Sequence, residues 1–149
     1  MKKINSIKVW EGPSLLDPSV IIMMVVTGLV TASSNDKTGD MLQTWIMRKD
    51  MPPHEAVKTG HDYAVCGDCL LRPSNREARL EAGLNRPCYV KAYQAPLSVW
   101  KAHKDKPVTS EEEARPLCRG RKLRFGSYGD PGAMPEEAWA WAWSAHGGE

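Results

Sequence analysis

No apolar run in the 149-residue chain approaches the ~20 residues that a membrane-spanning helix needs. The longest, Val20 to Val30, stops far short of that. Lys2 and Lys3 stand upstream of it, but Glu11, Asp17 and two prolines intervene, which is unlike a secretory leader. No membrane partner is expected, and the cytoplasm is the expected compartment. An excess of charge is also missing. A formal net charge of +2 argues against a protein whose main task is to neutralise many phosphates, although local basic clusters are not excluded by it. Internal repeats and low-complexity stretches are absent too, so solenoids and fibrous arrays are not suggested. What remains is a chain 42% hydrophobic and 26% charged, close to globular averages, and short enough for one domain over 1–149.

Four cysteines in a chain with no export signal are expected to stay reduced, which favours metal binding or thiol chemistry over disulfides. Cys66-Gly67-Asp68-Cys69 is a C-x-x-C pair whose glycine permits the tight turn that brings two sulfurs to one ion. Cys88 follows at the distance where zinc ribbons place a second pair, here half present. These three are the candidate metal ligands. His61 or Cys118 could complete four-coordinate zinc, or the fourth position stays open, as in an iron–sulfur cluster with one free iron. A thiol redox pair is disfavoured, because Pro73 would soon interrupt the helix such pairs occupy. Cys118 alone reads as a packed apolar residue, and His54, His103 and His146 read as surface histidines.

Along the chain, Val20 to Leu29 has the continuous β-branched and methionine-rich character of a strand buried on both faces. A polar loop, Ser33 to Asp40, and a second strand over Met41 to Met47 complete a hairpin. A helix is expected from Pro53 to Val57, stopped at Gly60, and another from Asn75 to Ala82, ending at Gly83. Cys88-Tyr89-Val90 reads as a strand. Beyond it come a helix over Pro96 to His103, an acidic turn capped by Ser110, a strand from Lys122 to Phe125 and a helix starting at Pro135. Strands alternating with helices predict an α/β fold with a partly parallel sheet: either partial β/α-barrel-like, or a mixed sheet with β-α units, carrying a cysteine-rich metal loop at about 61–90.

Gly126 to Pro131 would then lie at the C-terminal end of a strand, where α/β folds place ligand loops. Asp130, with the backbone of Gly126 and Gly129, is the candidate ligand-binding group. The alternative is a turn in which Asp130 bonds its own backbone and Pro131 fixes the bend. Arg72, Arg76, Arg79 and Arg86, with the run Arg119, Arg121, Lys122 and Arg124, could present a nucleic-acid surface around a zinc knuckle. Nearby glutamates make a solvated charged face the other reading. Ser98-x-x-Lys101 and Lys37-Thr38-Gly39 match pieces of penicillin-recognising enzymes in reversed order, a coincidence. Trp139, Trp141 and Trp143 cannot share one helix face, so a homo-oligomer or a missing partner segment is expected to pack there.

Taken together, the CGDCLLRP, PCYV and GSYGDP segments (Cys66 to Pro73, Pro87 to Val90, Gly126 to Pro131) resemble an uncharacterised bacteriophage and plasmid protein family. That family distantly resembles radical SAM-like phage proteins. The resemblance covers roughly Val20 to Trp139 and implies an iron–sulfur cluster, SAM, and the host cell cytoplasm as the compartment. The family continues further, so this chain would correspond to part of it. Radical SAM enzymes usually space their cluster ligands C-x-x-x-C-x-x-C, and here the third cysteine lies far downstream. Whether the protein is an enzyme is left open by the residues.

Overall fold

A computed structural model describes residues 3–30, 39–84 and 87–138. Four strands form one sheet in the order β1 (Ser6–Pro13), β2 (Ile21–Thr27), β3 (Leu42–Arg48) and β4 (Leu123–Tyr128). The first three run as an antiparallel meander, and β4 joins β3 in parallel. β2 is central because its sequence suits nothing else: Ile22, Met23, Met24, Val25 and Val26 are all fully buried, so both faces of the strand are covered. β1 carries a bulge at Val9, where Lys8 pairs with Val25 and Trp10 with Met24.

Between β3 and β4 the chain makes one long crossover. It contains α1 (Pro53–Thr59), α2 (Tyr63–Cys66), α3 (Arg76–Glu81), α4 (Ala95–His103) and α5 (Glu111–Cys118). The start and stop signals act as expected. Proline opens α1, and Gly60 ends it in the left-handed region at φ 78°. The Ser110 side chain accepts from the Glu113 N–H, and three glutamates occupy the first turn of α5, where a helix favours negative charge. α5 packs on β1, whereas α2 and α4 pack on β3. The Trp100 indole donates to the Arg48 carbonyl at 2.9 Å, fixing α4 to the end of β3.

The fold is therefore mixed α/β, with an open four-stranded sheet in place of the partial barrel. The reason lies in β1 to β3: hairpin connections make antiparallel neighbours, whereas a barrel of β-α units needs every strand parallel. Cys88-Tyr89-Val90 is not a strand either; its residues are β-like, but Cys88 N–H donates to the Leu71 carbonyl of a neighbouring loop and no strand among the described residues pairs with the segment. Ser110 begins a full eight-residue helix where a turn was expected. His54 has a buried Nδ1, and His103 is buried against the core where a surface position was expected. Trp139 to Trp143, Arg86, His146 and most of the Ser33 to Asp40 loop lie outside the described residues. Among the described residues no helix is long and apolar enough to cross a membrane.

Candidate metal centre

Parallel pairing of β3 and β4 brings their C-terminal ends to the same edge of the sheet, the place where open α/β sheets form crevices. Two loops meet there. One leaves β3 through α1 and α2 and carries Cys66 and Cys69. The other leaves β4 through Gly129 and Asp130. Their junction is a backbone hydrogen bond from Asp130 N–H to the Val65 carbonyl at 2.5 Å. Gly129 sits at φ 85°, and any side chain there would collide with the Ile46 carbonyl of β3, so only glycine lets the β4 exit lie this close.

Within the first loop, Cys66 closes α2, and Gly67 at φ 56° reverses the chain so that Cys69 returns towards it. One guanidinium holds this turn in shape. Arg72 donates to Asp62 Oδ1 through Nε at 3.1 Å and Nη2 at 2.7 Å, to the Gly67 carbonyl at 2.8 Å and to the Gly60 carbonyl at 2.9 Å. Arg72 and Asp62 are both buried, so the ion pair acts in a medium that screens it weakly. Further along, Arg79 donates to the Arg72 carbonyl at 3.1 Å and Asn75 to the Cys69 carbonyl at 2.9 Å. Cys88 is docked on the same loop through its bond to Leu71, at 2.8 Å.

The outcome is that Cys66, Cys69 and Cys88 wall a common cavity. Its inner part, about 60 Å³, is enclosed by these three together with Asp62, Arg72 and Tyr128. An outer mouth of about 240 Å³ shares the three cysteines and Tyr128 and is bordered by Gly126, Gly129 and Asp130. All three cysteines are free thiols, Cys66 half-buried, the other two exposed. Burial, the Asp62 carboxylate and then Cys88 push the Cys66 thiol up to about 12, so at neutral pH it carries its proton. Among the described residues, no three His, Cys, Asp or Glu side chains are grouped so as to hold an ion as they stand. The sulfurs share walls without converging on one point.

Of the other candidates, His61 is exposed, with Nδ1 2.7 Å from Thr59 Oγ1, and borders neither part of the cavity. Cys118 is fully buried in the main core. Asp130 Oδ1 accepts from Gly132 N–H at 2.8 Å, capping the turn Pro131–Ala133, so its own backbone occupies one carboxylate oxygen while the residue still borders the mouth. Gly126 marks an irregularity in β4, where Thr44 Oγ1 accepts from its N–H at 3.0 Å and donates to the Arg124 carbonyl at 2.9 Å.

Much of the arginine set is engaged with the protein itself. Besides Arg72 and Arg79, Arg121 donates to the Gly28 and Asp40 carbonyls, and Arg124 to Gln43 Oε1 and the Tyr89 hydroxyl. Arg76, Arg119 and Lys122 are the exposed cations that remain of that set among the described residues. Sequence reasoning missed Asp62, Arg72 and Tyr128 as parts of the site. Asp62 lies ten residues before Arg72, a separation that gives no hint of a pair, and Tyr128 was hidden inside a glycine-rich segment. Comparison with protein-family models, curated proteins and solved structures finds no match for the chain.

Proposed function

We propose that this protein is a cysteine-ligated metalloprotein of the phage type, holding zinc or an iron–sulfur cluster through Cys66, Cys69 and Cys88. One observation carries the reading: three thiols from two stretches of chain wall one cavity at the C-terminal ends of the parallel strands β3 and β4. Cys69 and Cys88 are exposed, so their side chains are free to rotate towards Cys66. A cation in the inner chamber would supply the positive charge that releases the Cys66 proton, which burial and Asp62 otherwise retain.

With three protein sulfurs, the metal keeps a position open towards the mouth, the arrangement of reactive rather than purely structural centres. Gly126, Gly129 and Asp130 border that mouth, and the second carboxylate oxygen of Asp130 would serve a small ligand there as an acceptor. Arg72 does not bind the metal in this account; it fixes Asp62 and the Cys66–Cys69 turn.

Anaerobic reconstitution tests the reading. Protein incubated with ferrous iron and sulfide, or with zinc alone, and then desalted is expected to retain one of them in stoichiometric amount, and Cys88→Ser to retain far less. Iron with broad visible absorbance would identify a cluster, and colourless protein with one zinc would identify a mononuclear site. Retention of neither metal by the wild-type protein would refute the proposal.

A further inference from the structure

Tyr128 ends β4 only 5% exposed, and its hydroxyl has no hydrogen-bond partner among the described residues. Buried phenol groups are almost always bonded, because a hydroxyl taken out of water and left alone is costly. Among the described residues three other buried polar atoms share this condition, on His54, Arg79 and His103, and none of those residues borders the thiol cavity. Tyr128 borders both the inner chamber and the mouth, beside all three cysteines.

No sulfur or oxygen among the described residues stands within hydrogen-bond reach of the Tyr128 O–H as it lies, but Cys69 and Cys88 are exposed and free to turn towards it. A metal-bound thiolate is an anionic acceptor and a strong one. Resting on the metal reading above, we propose that Tyr128 is a positioning residue of the centre, its hydroxyl donating a hydrogen bond to a metal-bound cysteine sulfur. Loading the site converts an orphaned donor into a bonded one. The bond would hold that sulfur in place and favour its thiolate form, which raises the centre's affinity, and it would draw electron density from the sulfur, which shifts the spectrum.

Tyr128→Phe removes the hydroxyl and keeps the ring that packs in the core. Cobalt(II) serves as the probe, since thiolate-to-cobalt charge transfer is read directly by absorbance. Three results are expected: metal-free Tyr128→Phe melts no lower than wild type, its cobalt affinity falls ~10–100-fold, and its charge-transfer band moves to longer wavelength. A purely structural tyrosine would instead lower the melting temperature of the metal-free protein and leave the band in place. Equal affinity and an unchanged band in Tyr128→Phe would overturn the inference and leave the metal site standing. Failure of wild-type protein to bind cobalt at all would overturn the metal reading and this inference with it.

Discussion

Arg72 shows what a sequence hides at the scale of one residue. In the chain it belongs to an arginine-rich stretch and reads as a solvated or phosphate-binding cation. In the fold it is a buried clamp on Gly60, Asp62 and Gly67. Charge alone cannot distinguish the two, because the distinction depends on whether a carboxylate has been buried beside it. Removing one member of a buried pair leaves the other uncompensated, so Arg72→Ala is expected to destabilise the protein by ~3–5 kcal/mol. Exposed Arg76→Ala is expected to change stability by no more than ~0.5 kcal/mol. Urea denaturation of both variants checks the contrast. Equal midpoints would show that Arg72 is no clamp. Cysteine spacing, by contrast, hints at a turn without a fold: Gly67, between Cys66 and Cys69, takes the positive φ of 56° that glycine accepts, whereas Cys88 is placed by its bond to Leu71.

Elements with strong local signals were legible, and those that depend on partners were not. β2 declared itself through its unbroken apolar run and α1 through Pro53 and Gly60, while Ser110 marked the start of α5 but only a turn was expected after it. Cys88-Tyr89-Val90 has strand-like residues yet remains a loop, because a strand exists only where another strand supplies the ladder. The apolar–polar mix in α4 concealed a buried histidine. His103 is buried, with Nε2 2.8 Å from Ser6 Oγ and Nδ1 without a partner among the described residues. Burial, then the charges of Lys106 and Lys8, hold its imidazole down to about 4 from the ordinary 6.5. The folded protein thus resists taking a proton that the unfolded chain accepts readily. Stability from this group is complete above about pH 6.5 and is lost as the pH falls towards about 4. The melting temperature of the wild type is therefore expected to drop between pH 7 and pH 5 by more than that of His103→Asn. Parallel slopes in the two proteins would contradict this account.

At the scale of the whole molecule, the α/β class and the parallel contact were readable from the alternation of elements, whereas sheet closure was not. Hairpins among the first three strands exclude a barrel, and they leave β3 and β4 as the one parallel pair in the sheet. That pair makes the crevice in which the cysteines meet, so topology, more than any single motif, gives the site its place. The proposed site at this edge would couple metal to folding: an ion held by residues from α2, from the loop after α3 and beside β4 would stabilise the folded arrangement by RT ln(1 + [L]/Kd). The central claim is that three thiols form one metal site. Elemental analysis with a visible spectrum, on protein purified without oxygen beside a Cys66→Ser/Cys69→Ser variant, tests it most directly. The account predicts stoichiometric zinc, or iron with sulfide, in the wild type and its loss in the variant. Metal absent from both proteins, or present equally in both, would contradict it.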